Sequence, residues 1–157
     1  MPHTLHAAVL LAWLAICAWQ DASHRRISNW LTLGGSAAAL LYLVVQGESW
    51  LGGSVAAAVL ATLLALALSL PGYCLGKLGA ADVKLLFCIG LASHERTLLI
   101  CVIGAGLALF LWSRMGARIW PHLGPRVRAR LPHLDPEVSR TYPFAPFGLV
   151  GILASFF

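Results

Sequence analysis

Six apolar runs separated by short polar breaks fill most of this chain, and they decide what it can fold into. They cover residues 5–20, 30–46, 50–70, 83–92, 97–112 and 143–157. A helix needs about 17–25 predominantly apolar residues to cross a bilayer, so the third run is comfortable and several others are adequate. The fourth, about 15 Å of helix, is too short to cross alone. It must be extended by residues 79–82, lie beside a water-filled recess, or both. No run alternates apolar and polar residues as a barrel strand would, so helices that satisfy their own backbone are the expected solution. Composition agrees: 59% of the residues are hydrophobic and 11% charged, and the mean hydropathy is +0.81. That leaves too little polar surface to coat a water-exposed globule. A soluble enzyme, a disordered chain and a nucleic-acid-binding domain are excluded. The expected fold class is all-α: a polytopic membrane protein of about six transmembrane helices, in a single domain over residues 1–157.

The first run is read as a true span. Its N-terminal flank, Met1-Pro2-His3-Thr4, has no Lys or Arg, and no small-x-small cleavage site follows the apolar core. Cys17, Cys74, Cys88 and Cys101 lie in or beside apolar stretches and no two are spaced Cys-x-x-Cys, so they are read as packing residues. Orientation comes from the cations. Arg25, Arg26, Lys77, Lys84, Arg114, Arg118, Arg126, Arg128, Arg130 and Arg140 fall on alternate connections (21–29, 71–84 and 114–140), and Arg96 alone falls on the others. The positive-inside rule then puts those three connections in the cytoplasm and both termini outside. Much of the net charge of +5 is topology and calls for no nucleic acid. The stretch 114–140 is read as a basic cytoplasmic loop resting on anionic headgroups, since Pro121, Pro125, Pro132 and Pro136 break it too often for a long helix.

The six acids are placed unevenly. Glu48 and Glu95 sit in the short outer turns, Asp135 and Glu137 in the large loop, and these read as solvated charges. Asp21 and Asp82 differ: Asp21 ends the first run and Asp82 opens the fourth, on the same membrane face. The shortness of the fourth run places Asp82 inside the hydrocarbon slab, where a carboxylate is costly and marks a functional site. The structural alternatives are an N-cap at Asp82 and an ion pair of Asp21 with Arg25 or Arg26. Together, two carboxylates can share one proton, one acting as base toward a water and the other as acid toward a peptide carbonyl. Opposite helix ends assign the negative charge to Asp82 and the proton to Asp21. The histidines are scattered, with no metal-ligand spacing and no Ser/His or Cys/His pair, so neither metal nor cofactor is expected.

Three segments resemble a known family. Asp21-Ala22-Ser23-His24-Arg25-Arg26-Ile27-Ser28-Asn29 resembles Asp-x5-Ile-Pro-Asn. Gly79-Ala80-Ala81-Asp82-Val83-Lys84-Leu85-Leu86 resembles Gly-x-Gly-Asp-Val-Lys-Leu-Leu. Tyr142-Pro143-Phe144-Ala145-Pro146-Phe147-Gly148 is similar to a late Pro-Phe-x-Pro segment. These are motifs of the type IV prepilin peptidases, Gly-x-Gly-Asp membrane aspartic proteases, and the chain looks most like the short Flp/Tad-type members. Two positions depart from the pattern. Ser28 replaces a Pro, which loosens a turn. Ala81 replaces the second Gly, which bears on loop geometry because Ala adopts positive φ poorly.

The resemblance implies catalytic Asp21 and Asp82, supported by Ile27, Asn29, Gly79, Ala81, Lys84, Pro143 and Pro146. Lys84 is read as snorkelling to the interface. The implied reaction is removal of a basic leader from type IV or Flp prepilins or pseudopilins at the cytoplasmic face of the bacterial inner membrane. It needs no cofactor or metal, and methyl transfer is not expected of a chain without paired Cys-x-x-Cys motifs. The implied partners are the prepilin helix, membrane lipids and pilus assembly machinery. Two other classes fit the same acids: a proton-coupled transporter subunit and an inactive, protease-like scaffold for pilus assembly.

Overall fold

The computed structural model describes residues 2–137 and 142–156; residues 138–140 of the basic stretch, with Arg140, and Phe157 of the last run lie outside the described residues. Each of the six apolar runs forms a helix. In chain order these are α1 (Pro2–His24), α2 (Asn29–Gln46), α3 (Val55–Cys74), α4 (Ala80–Ala92) and α5 (Glu95–Ile119), then the one-turn α6 (Pro125–Arg130) and α7 (Ala145–Ala154). Among the described residues the only extended pairing is an isolated bridge between Glu48 and Ser54. Three helical stretches, Thr4–His24, Val55–Cys74 and Glu95–His122, are long and apolar enough to cross a membrane.

Local chemistry sets the boundaries. The third run is apolar from Trp50, yet α3 begins at Val55, because Ser49 N–H donates to the Gly53 carbonyl (2.7 Å) and closes a turn first. Ser54 then caps the helix, its hydroxyl accepting the Ala57 N–H at 3.2 Å. At its far end α3 passes Pro71 for one more turn. It ends at Cys74 with Leu75 as its C-cap, and Gly76 beyond it, with φ +67°, lets the Lys77 and Leu78 N–H groups both reach the Gly72 carbonyl. The fourth run is lengthened from its N-terminal side, as its shortness required: α4 starts at Ala80, and Gly79 is its N-cap.

The helices pack as α1 against α7, α7 against α5, and α4 against both α2 and α3. Small residues let the closest pairs meet backbone to backbone. A Cβ on Gly90 would lie 2.8 Å from Thr62 Cα of α3, one on Gly104 would lie 2.8 Å from Gly151 Cα, and one on Gly151 would collide with the Cys101 carbonyl. Leu14, Leu85, Ile89, Leu98 and Ile152 are fully buried between the helices. The outward faces are apolar too: Val44 is 74% exposed, Ile103 61% and Leu63 58%. Surfaces of that kind and extent need lipid around them, and the chain is an all-α membrane protein.

The basic stretch departs from the sequence reading. Helix α5 runs to Ile119, so Arg114 and Arg118 belong to it: hydropathy falls after Trp112, but backbone hydrogen bonding continues. The segment beyond is docked on the bundle. Ser23 Oγ donates to the Arg130 carbonyl (3.0 Å), the Arg130 guanidinium lies 6.0 Å from the Trp19 ring centroid, and Trp112 Nε1 donates to the Leu134 carbonyl (3.1 Å).

Candidate active site

Asp21 and Asp82 face one cavity of about 250 Å³, formed where α1 ends and α4 and α7 begin. Asp21 lies one turn before the end of α1 and is 6% exposed. Its Oδ2 accepts the Ala145 N–H at 3.0 Å, a bond that spans 124 residues of sequence. Ala145 is the first residue of α7, so Asp21 meets one of the N–H groups that no helical carbonyl can reach. The sequence Pro143-Phe144-Ala145-Pro146 suits this corner. Pro143 is buried against the cavity, and Pro146 occupies the first turn of α7, where its missing N–H costs nothing.

Asp82 is the third residue of α4. Its Oδ2 accepts the Gly79 N–H at 3.0 Å, while the Asp82 N–H reaches back to the Gly79 carbonyl at 3.1 Å. The carboxylate therefore caps the helix from inside the first turn, as capping-box acids do, and the N-cap itself is Gly79. Gly79 leaves the carboxylate room: a Cβ there would sit 3.1 Å from Asp82 Oδ2, which would have to give by a few tenths of an ångström. Ala81 raises no such difficulty. It is helical, half-buried against the core, and absent from the positive-φ residues, so the alanine fits where the motif carries glycine.

The Asp-x5-Ile-x-Asn segment forms the turn from α1 to α2. Ile27 is buried, and Ser28 is the N-cap of α2 with φ −56°, a value that proline would also adopt. Ser28 keeps an N–H that proline lacks and donates it to Gln20 Oε1 at 2.9 Å, which stiffens the turn by another route. Asn29 opens α2, and Lys84 Nζ donates to its Oδ1 at 2.9 Å. Lys84 is thus engaged with a neighbouring helix.

Sequence reasoning offers Arg25 as an ion-pair partner of Asp21, and the structure gives it a place in the cavity wall. Arg25 adopts φ +51°, donates its N–H to the Asp21 carbonyl at 2.8 Å, and lines the cavity with both acids. Its charge acts on Asp21 and on Asp82, and Asp21 also acts on Asp82. Lys77 and Tyr142 complete the wall. No sequence signal marks a left-handed arginine; Asn and Gly are the usual residues there. The assignment of charge from helix ends considers only α1 at Asp21. That acid also meets the N-terminus of α7, so a positive helix end faces each acid, and the negative end of α1 is what still distinguishes them. Among the described residues no three His, Cys, Asp or Glu side chains converge as metal ligands. Chemically, the arrangement offers two carboxyls, each accepting a backbone N–H, with Arg25 and Lys77 beside them, next to a space large enough for water and a peptide unit.

A model of the type IV leader peptidase family matches residues 8–114, more than half of the chain, and the chain belongs to that family. No curated protein and no solved structure matches it significantly. The matched stretch includes Asp21, Ile27, Asn29, Gly79, Asp82 and Lys84 but stops short of α7, so the part played by Pro143 and Ala145 rests on geometry alone.

Proposed function

We propose that this membrane peptidase is an aspartic endopeptidase that removes the leader from type IV prepilins, most closely those of the Flp type, using Asp21 and Asp82 together. The observation that carries the reading is their common cavity, with each carboxyl held by a backbone N–H at a helix start. One carboxylate takes a proton from a water as its oxygen attacks the scissile carbonyl carbon. The other, protonated, donates a hydrogen bond to the carbonyl oxygen, and the tetrahedral intermediate forms. Return of a proton to the amide nitrogen breaks the C–N bond and releases leader acid and pilin amine. A site at the end of apolar helices suits a substrate cut beside its own apolar helix. Hydrolysis of the leader without methyl transfer is the activity proposed for these residues.

The cations support placing this site at the cytoplasmic face of the bacterial inner membrane. Nine of them lie at or near the Asp21 end of the bundle, between Arg25 and Arg130, and Arg96 lies at the other. Both ends of the chain would then face outward, with substrate and pilus assembly machinery meeting the protein from within. A membrane-impermeant thiol reagent tests this after Cys74 is replaced: from outside it should label a cysteine at Glu48 and miss one at Arg128, and the reverse pattern would overturn the orientation. For the activity, a prepilin co-expressed with the protein should lose the mass of its leader. An unchanged prepilin mass together with proton uptake into vesicles would instead make the chain a transporter, and no change in either would leave a scaffold.

A further inference from the structure

Helix α1 packs chiefly on α7, and α4 on α2 and α3, while side chains of α1 and α4 meet in the shared core, where Leu14 and Cys17 are buried with Leu85 and Ile89. Hydrogen bonds add a further tie between the two acid-bearing helices. Gln20, beside Asp21, accepts the Ser28 N–H; Asn29, the next residue, accepts from Lys84 Nζ; and Lys84 stands two residues beyond Asp82. Lys84 and Asn29 lie 55 residues apart in sequence, and their bond is a cross-tie between the start of α2 and the first turns of α4.

We propose that the Lys84–Asn29 hydrogen bond is the positioning element that holds Asp82 in working register with Asp21. This rests on the peptidase reading above. The bond is charge-assisted, which makes it stronger than an ordinary amide contact. Lys84 is half-buried, so its stem is held by packing and its reach to this oxygen is restricted. The geometry also matches the demand. Two carboxyls sharing one water tolerate little error in spacing, and a misplacement of about 1 Å can cost about 100-fold in rate. Neither residue touches the reacting atoms in this account; both act through Asp82.

The test is steady-state kinetics in detergent or nanodiscs on a synthetic prepilin peptide, normalised to folded enzyme. Lys84→Leu and Asn29→Leu should each lower kcat by about tenfold to 100-fold and leave KM within about twofold. The double variant should be no slower than the slower single one, because both remove the same bond. Lys84→Arg should recover most of the loss, since one N–H donor to Asn29 Oδ1 is all the site asks. A merely structural role would lower the yield of folded protein while sparing kcat per folded molecule. Should Lys84→Leu fail to insert, Asn29→Ala, at an exposed position, gives the same reading. Wild-type enzyme that cleaves, with either variant keeping kcat within twofold, would overturn this inference alone. Losses that multiply in the double variant would overturn it equally. Wild-type enzyme that cleaves nothing would overturn the peptidase reading, and the inference with it.

Discussion

At the end of the bundle that holds Asp21 and Asp82, each carboxylate accepts a backbone N–H from the start of a helix. At the opposite end, Glu95 has a carboxylate oxygen buried with no hydrogen-bond partner, and His94 Nδ1 is in the same position. Cavity size runs the other way. The space at that far end, between Thr4, Leu11, His94, Arg96 and Ser155, is about 770 Å³, three times the volume beside the acid pair, and no Asp or Glu lines it. The contrast teaches that volume is a poor guide to chemistry in this fold. What marks the proposed working end is two acids brought together from distant segments, each accepting a backbone N–H, with cations around them.

The largest expected effect breaks the contrast directly. Asp21→Asn or Asp82→Asn keeps the shape of the side chain and removes the titrating oxygen. Leader removal should fall by at least about 100-fold, the usual worth of a general acid or base. Glu95→Gln, made at the other end, should change the rate by less than about twofold. Mass spectrometry of prepilin from the three strains reads all of these at once, and equal losses at both ends would dissolve the distinction.

A middling effect probes how closely the donors hold. Gly79→Ala forces a methyl group to within 3.1 Å of Asp82 Oδ2, so the carboxylate must yield by a few tenths of an ångström. A fall of about three- to tenfold in kcat is expected, or roughly 0.7–1.4 kcal/mol. Ala81→Gly, which restores the motif glycine at a helical position, should give no gain in rate and should cost up to about 1 kcal/mol of stability.

Smaller still is the effect of loosening the docked segment. Arg130→Ala removes the guanidinium over Trp19 and should cost about 0.5–1 kcal/mol in thermal unfolding, with cleavage little changed. Smallest of all is Ser28→Pro. It removes the N–H bond to Gln20 and fixes a φ already near the proline value, two effects of opposite sign that should cancel to within about 0.5 kcal/mol.

Much of this architecture is legible in the chain. The apolar runs locate six helices, and the scarcity of acids isolates Asp21 and Asp82 as the pair that needs explaining. Limits appear where structure depends on partners far away in sequence. Nothing local at Asp21 announces Ala145, 124 residues on, and nothing at Lys84 announces Asn29. Hydropathy also marks where lipid-facing residues stop, which is not where helices stop, so α5 outruns its apolar run by reaching Ile119. The departures from the motif mislead for a related reason: Ala81 looks damaging if glycine there is assumed to serve positive φ, and only the backbone shows a helix. Arg25 is legible as a partner for Asp21, but its left-handed backbone is not, because the turn as a whole sets it.

The central claim is that Asp21 and Asp82 act as one unit on one bond. The direct measurement is the cleavage rate of purified Asp21→Asn, Asp82→Asn and the double variant on the same prepilin peptide. Residues that work as a unit are non-additive, so each single variant should be about as inactive as the double. A single variant that cleaves within twofold of the wild-type rate, or single losses that multiply in the double, would contradict the account.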